Sequence, residues 1–325
     1  MNFSNIFIQV AVLFIIILVG YFVRKFNLLD DHCTSKLSTL TMTVFLPSMI
    51  ISSMQINFDS KMIQKILLLL FTSLIMYIVS IIIAFLLKYI LKCNDKKDLG
   101  IYQYIVVFSN VAFMGYPVIE AVLGHEAIFY TAIFNLPFNL FSFTLGIYLL
   151  SKGSTSRGFS IKSLISPATI AIVIGLFLFV TGLRLPQFIN EPLEMLGSIT
   201  TPISMIIIGS LLANSSALDC FVNKKLYIVT FIRLLVLPVI VYFILKGWIN
   251  DKMILAIPVV ISSMPAAANT AIMANQYDSN ITLASQCVFF TTLFSVISIP
   301  FISIYSYLDL FFYVLYNNIF NKLQI

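Results

Sequence analysis

The amino-acid sequence predicts an all-α membrane protein whose ten transmembrane helices form two inverted repeats of five. Three observations support this fold class: the composition, ten apolar runs, and matching polar interruptions in the two halves. Of the 325 residues, 60% are hydrophobic and 10% are charged, and the mean hydropathy is +1.03. Soluble domains carry about a quarter charged residues. The composition therefore places the chain in a lipid bilayer and excludes a cytosolic enzyme, a nucleic-acid binder and a disordered scaffold.

The apolar runs have the length of membrane spans, which need roughly 20 apolar residues each. They cover approximately residues 6–22, 37–56, 63–90, 101–123, 127–150, 167–183, 192–212, 226–248, 253–274 and 281–308. The first run lacks a basic leading region and a small-residue cleavage site, which predicts a retained helix and not a signal peptide. The polar stretch SKGSTSRGFSIKS between the fifth and sixth runs has linker composition.

These boundaries predict the domain organisation. We expect a first five-helix repeat at 1–150, a cytoplasmic linker at 151–163, a second repeat at 164–308 and an interfacial C-terminal tail at 309–325. Two homologous halves with an odd number of spans must face opposite ways, as in many secondary transporters.

The basic residues predict the orientation, because basic loops stay on the cytoplasmic side. With the N-terminus outside, 12 basic residues fall inside: Arg24, Lys25, Lys36, Lys88, Lys92, Lys96, Lys97, Lys152, Arg157, Lys162, Lys224 and Lys225. Six fall outside: Lys61, Lys65, Arg184, Lys246, Lys252 and Lys322. We therefore expect a multi-pass protein of the plasma membrane with both termini outside. The net charge of +6 reflects this topology and does not predict nucleic acid as a partner.

The fourth and ninth spans carry matching interruptions. Span four reads VVFSNVAFMGYPVIEAV and span nine reads PVVISSMPAAANTAIMANQY, so each combines small polar residues, an Asn and a proline. Proline removes a helical hydrogen bond, and we expect breaks at Gly115–Pro117 and Pro265–Asn269. Paired breaks indicate a transport site, because half-helix N-termini then direct positive dipole ends at an anion. The alternative is that both prolines only kink packed helices.

The side-chain amides of Asn110 and Asn269 can donate hydrogen bonds to a carboxylate. As an alternative, each Asn caps a broken helix end or bonds to a neighbouring helix. The predicted substrate-binding residues are Ser109, Asn110, Gly115, Pro117, Ser263, Pro265, Asn269, Thr270 and Gln286.

Charged residues are scarce inside the spans. The deep parts of the spans hold no Asp or Glu, which argues against cation exchange by a buried carboxylate; Glu120 lies toward the outer end of span four. Arg233 either neutralises an anion, pairs with a helix C-terminus or lies at the interface. His125 and Glu126 begin a zinc-protease pattern, but Phe129 occupies the position of its second His. We expect no catalytic residues, no metal and no cofactor.

The run FSNVAFMGYP in span four, the segment MPAAANTAIMANQY in span nine and ten spans around a polar middle loop resemble the auxin efflux carrier family. The resemblance implies the fold of bile-acid symporters and sodium/proton antiporters, with a scaffold part and a transport part containing two crossing, proline-broken helices. It also implies that Asn110, Pro117, Pro265 and Asn269 surround a substrate carboxylate. The short middle loop is similar to that of bacterial permeases for malate, malonate or similar acids.

We therefore expect a secondary active transporter of small organic anions, most simply carboxylates, that works by alternating access. Two alternatives remain: a sodium-coupled symporter of the same fold, and a carboxylate-sensing membrane receptor. The expected partners are the organic anion and the lipid bilayer, and the sequence leaves a homodimer open.

Overall fold

The computed structural model describes residues 3–56, 60–152, 167–214 and 221–322. Within these ranges the regular structure is helical, apart from one isolated antiparallel bridge between Ser109 and Ala266. Most of the linker expected at 151–163 lies outside the described residues. The backbone of the tail expected at 309–325 continues the last helix as far as Lys322.

Most of the α-helices lie within or overlap the apolar runs of the sequence. Their bounds are α1 Phe3–Lys25, α2 Asp31–Leu40, α3 Leu46–Ser53, α4 Ser60–Leu91, α5 Lys96–Val107, α6 Tyr116–Leu123, α7 Glu126–Phe134, α8 Leu136–Phe141, α9 Ile147–Leu150, α10 Pro167–Thr181, α11 Gln187–Ser198, α12 Thr200–Asn214, α13 Lys224–Phe231, α14 Leu237–Lys246, α15 Lys252–Ser262, α16 Thr270–Gln276 and α17 Ile281–Lys322. The π-helical turns are Thr41–Phe45, Val111–Gly115, Ser142–Gly146 and Ile232–Val236.

Several helical stretches are long and apolar enough to span a membrane. In the described part of the chain they are Met62–Leu91, Gln187–Ala213, Lys224–Lys246 and Ile281–Ser303. Val111–Leu123, Pro167–Thr181 and Lys252–Ser262 are apolar but shorter. Two of these shorter helices belong to the interrupted spans four and nine. The chain is thus an all-helical membrane protein.

Proline residues account for three of the π-helical turns. Pro47, Pro117 and Pro238 are each the second residue of the α-helix that follows such a turn. A proline has no N–H to donate and its ring crowds the carbonyl four residues earlier, and a wider turn relieves that crowding. Pro117 therefore widens span four without breaking it. The expectation of a break at Gly115–Pro117 is wrong, because the helix is interrupted earlier, at 108–110.

The helices pack into two groups. In the first group, α1 crosses α12 closely at Gly20 and Gly209. A Cβ atom on Gly209 would lie 2.0 Å from the backbone oxygen of Ile17, so only glycine fits there. Helix α3 packs on α10 and α11 and completes this group, together with α2. The second group comprises α4 to α9 and α13 to α17, with α4 packed on α5, α7, α14 and α15.

Contacts between loops agree with the predicted alternation of spans. At one end of the bundle, Lys97 pairs with Asp278 at 3.2 Å, and the sequence places both on the same membrane side. At the other end, Lys65 pairs with Asp251 at 2.8 Å, which again joins segments expected to share a side. Each ion pair therefore joins two loops that the prediction assigns to the same set, inside or outside. Which set faces the cytoplasm stays a prediction.

Candidate functional site

The interrupted parts of spans four and nine cross each other inside the second group. The Asn110 N–H donates to the carbonyl oxygen of Pro265 at 2.9 Å, and the Ala267 N–H donates to that of Phe108 at 3.2 Å. The Ala266 N–H donates to the Thr291 hydroxyl at 3.1 Å. These bonds satisfy backbone groups that the breaks release from their helices, which buried non-helical backbone requires.

Arg233 holds the two incoming half-helices at the crossing. Its side chain is fully buried, and it donates from Nε to the Met264 carbonyl at 3.0 Å and from Nη1 to the Val106 carbonyl at 2.8 Å. These carbonyls lie at or just beyond the C-terminal ends of α15 and α5, where the helix dipole is negative and favours a cation. Nη2 donates to the Ser109 hydroxyl. Of the three interpretations of Arg233, pairing with helix C-termini is confirmed, and the interfacial position is wrong.

Asn110 begins the other half of span four. Its Oδ1 accepts a hydrogen bond from the Phe113 N–H at 3.3 Å, so Asn110 caps the helical run that starts at Val111. An amide that accepts through Oδ1 keeps both hydrogens of Nδ2 as donors. The cap and the donor roles that the sequence offered as alternatives are therefore compatible in one residue.

Asn269 occupies the corresponding position in span nine. It is the N-cap residue of α16, but its side chain makes no capping bond. The residue is half-buried. Its side-chain amide therefore does not cap the start of this half-helix.

Two cavities meet at the crossing, and both lie between the two helix groups. The first measures about 160 Å³ and presents the polar residues Ser109, Asn110, Asn135, Ser142 and Asn269 opposite Met42, Leu46, Pro167, Ala168 and Ile172 of the first group. The second measures about 170 Å³ and presents Asn110, Ser285 and Thr292 opposite Ile208, Leu211 and Leu212 of the first group. Asn110 and Ala268 line both cavities. Neither lining contains a charged side chain among the described residues.

Three of the predicted site residues, Ser109, Asn110 and Asn269, line the first cavity. Pro265 contributes through its carbonyl, which accepts from the Asn110 N–H. Pro117 is buried near the start of α6. It lines neither cavity among the described residues.

The other four predicted residues do not line either cavity. Gly115 packs against span nine, where an added Cβ would lie 2.9 Å from Cδ1 of Ile261. The hydroxyls of Ser263 and Thr270 bond to the carbonyls of Val260 and Ala267. Gln286 is half-buried on α17.

Sequence reasoning missed Asn135, which ends α7 and lines the first cavity. A signal was present, because Asn135 precedes Pro137 in span five and thus repeats the combination of Asn and proline in spans four and nine. It also missed Ser142 and the link from Arg233 to Ser109. That link joins residues 124 positions apart and leaves no local pattern.

Comparison with known proteins agrees with this architecture. The sequence matches the membrane transport protein family over residues 5–158 and 154–303, a division into two halves that is consistent with an internal repeat. An uncharacterized transporter of Methanocaldococcus jannaschii is 30% identical over 300 residues, which cover 89% of this chain and 95% of the relative. An uncharacterized transporter of Methanothermobacter thermautotrophicus is 26% identical over 288 residues, which cover 88% and 93%. The chain therefore belongs to the membrane transport protein family and is a multi-pass membrane transporter, not an enzyme.

Proposed function

We propose that this transporter carries small organic anions, in particular carboxylates, by alternating access. The observation that supports this most is the chemistry of the crossing. The amides of Asn110 and Asn269 lie at the starts of two half-helices, beside a cavity lined by both helix groups. Amide donors and helix N-termini both favour a negatively charged ligand.

Arg233 strengthens this preference without touching the substrate. Its guanidinium donates to the Ser109 hydroxyl, and Ser109 lines the first cavity. An anion that accepts from Ser109 lies two hydrogen-bond lengths from the guanidinium, about 5.6 Å. At an effective dielectric constant of about 20, this corresponds to an attraction of about 3 kcal/mol. A cation at the same place is repelled by a similar amount.

The position of the cavities supports alternating access. Both lie between the two helix groups and share Asn110, so a shift of one group against the other can open the crossing to either side. The match to the family in two halves and the alternation of loop contacts support ten spans in two inverted repeats. We place this chain in the fold of the bile-acid symporters and sodium/proton antiporters, with both termini outside the plasma membrane.

We infer that the substrates resemble those of bacterial malate and malonate permeases, as the short middle loop indicates. Thermal stabilisation of the purified protein by malonate and by malonamide tests the anion preference, because malonamide has the same skeleton without charge. We expect malonate, malate or a related acid to raise the melting temperature and the matched diamide to leave it unchanged. Equal stabilisation by acid and diamide would contradict an anion site.

One alternative keeps the same site and adds a coupling ion. A sodium-coupled symporter would show carboxylate binding that tightens as sodium replaces potassium at constant ionic strength. Our proposal predicts the same affinity in both salts. Because the chain belongs to a transporter family, a receptor without transport activity is the weaker alternative.

A further inference from the structure

A larger cavity of about 560 Å³ lies away from the crossing, between span eight and span ten. Its walls are mostly aromatic and aliphatic: Tyr227, Phe231, Leu234, Leu235, Phe290, Phe294, Ile297 and Phe301. The ring centroids of Tyr227 and Phe290 are 4.8 Å apart, and those of Phe290 and Phe294 are 4.7 Å apart. Phe231 and Phe301 are 57% and 67% exposed, so apolar groups surround the mouth. On a membrane transporter, such a mouth faces lipid.

Two polar groups line this apolar cavity. Thr230 and Ser298 are only 5% and 7% exposed, and neither hydroxyl has a hydrogen-bond partner in the described structure. On the same helix as Ser298, the hydroxyls of Thr291, Thr292 and Ser295 all bond to carbonyls of the preceding turn. Other buried hydroxyls of the described residues also lack a hydrogen-bond partner, but Thr230 and Ser298 are the two that line this cavity. A buried hydroxyl without a partner is destabilising, and two in one cavity point to a ligand that carries a hydrogen-bond acceptor.

A positive charge lies on the same face of the helix. Lys224 begins α13 three residues before Tyr227, and residues with this spacing share a helix face. It is exposed, and no described carboxylate pairs with it. Thr230 lies about 9 Å further along the helix. The order along this face is thus a cation near the membrane surface, then a pair of hydroxyls, then an apolar channel.

We propose that this cavity binds an anionic glycerophospholipid. Its phosphate pairs with Lys224, an acyl ester carbonyl accepts hydrogen bonds from Thr230 and Ser298, and the chain lies against the aromatic wall. The volume is within the range of about 300–1,000 Å³ usual for ligand cavities. A helix of a second copy is about 10–12 Å wide and cannot reach hydroxyls that are more than nine-tenths buried. A soluble carboxylate is a poor fit, because the described lining is almost entirely apolar and, unlike the crossing, presents no side-chain amide.

The test uses the full chain, purified in detergent and stripped of lipid, with the melting temperature measured after addition of phosphatidylglycerol or phosphatidylcholine. We expect phosphatidylglycerol to stabilise the wild type more than phosphatidylcholine does. The double variant Thr230→Val with Ser298→Ala should lose more than half of this gain. Without lipid, the double variant should melt at or above the wild-type temperature, because it removes two unpaired hydroxyls. A smaller gain from lipid could then not be explained by misfolding of the variant. Thr181→Val is the matched control on an exposed face of α10.

Lys224→Gln provides a second test that leaves the cavity intact. It should abolish the preference for phosphatidylglycerol over phosphatidylcholine and keep a common smaller gain. Equal lipid stabilisation in wild type, double variant and Lys224→Gln would overturn the proposal. A second outcome would also overturn it: if Ile297→Trp converts a dimer to a monomer and leaves the response to lipid unchanged, the cavity is an interface between copies. Neither outcome bears on the carboxylate site at the crossing.

Discussion

Substitution of Asn110 separates its two roles at the crossing. Oδ1 caps the helical run that begins at Val111. Asn110 also lines the cavity, and we propose that its Nδ2 donates to the substrate there. Asn110→Asp keeps an oxygen for the Phe113 N–H and replaces the donor by a negative charge. Asn110→Ala removes both groups. Asn269→Ala removes an amide that makes no capping bond.

The structure sets different magnitudes for these variants. Loss of a cap costs about 0.5–2 kcal/mol of stability, so Asn110→Ala should melt at a lower temperature. Asn110→Asp and Asn269→Ala should melt close to the wild type. Loss of a hydrogen bond to a charged ligand costs about 1.5–3 kcal/mol, so Asn110→Ala and Asn269→Ala should each weaken carboxylate binding about 10- to 150-fold. Asn110→Asp should weaken it further, because two negative charges then repel each other.

The assay is equilibrium binding of radiolabelled malate or malonate to purified protein, with the melting temperature of each variant recorded in parallel. Thr181→Val, on the exposed face of α10, is the control for an unrelated polar substitution. Wild-type affinity in Asn110→Asp would refute the reasoning, since no carboxylate could then lie beside Nδ2. If the loss of affinity in each variant merely parallels its loss of melting temperature, Asn110 acts only as a helix cap.

Three further predictions concern structural features around the site. Arg233→Met should destabilise the protein by about 2–5 kcal/mol, because it leaves buried carbonyls of both half-helices without a donor, and Arg233→Lys should restore part of this in thermal unfolding; unchanged unfolding would contradict the pairing. Gly209→Ala should lower the melting temperature, because its Cβ would clash with the Ile17 carbonyl, whereas Gly247→Ala, with open space around it, should not; equal effects would argue against the close helix crossing. The His125 imidazole donates a hydrogen bond to the Glu120 carboxylate, which raises the pKa of His125, and Glu194 also contributes. The stabilisation is therefore full below about pH 6.5 and is lost as the pH rises through the raised pKa. His125→Gln should make the free energy of unfolding less dependent on pH in this range, and an unchanged pH dependence would show that the pair does not contribute to stability.

The sequence predicted an all-helical membrane protein and the positions of several apolar helices, because both depend on the length of apolar runs. The paired interruptions were recognised from local composition, since Asn, proline and small residues are rare together in a span. The position of the first break was wrong. The break was predicted at Gly115–Pro117 because of Pro117. A proline at the second position of a helix, however, only requires a wider turn before it.

The break in span four lies at Phe108–Asn110 because its backbone finds partners in another span. The Asn110 N–H and the Phe108 carbonyl bond to Pro265 and Ala267, more than 150 residues away. Arg233 shows the same limit: its acceptors come from two different helices, and no spacing in the sequence marks them. Gln286 was predicted as a substrate-binding residue because it is polar in an apolar span. The direction of its side chain on α17, however, depends on packing that the sequence does not specify.

Carboxylate transport at the crossing is the central claim, and uptake into proteoliposomes tests it most directly. Wild type, Asn110→Asp and Thr181→Val would be reconstituted at equal amounts, and uptake of radiolabelled malate and malonate would be followed with unlabelled acid inside the vesicles. We predict rapid exchange of at least one acid by the wild type and by Thr181→Val, and little exchange by Asn110→Asp although it remains folded. Exchange by Asn110→Asp at the wild-type rate would contradict the account, because the substrate would then cross the membrane without meeting Asn110.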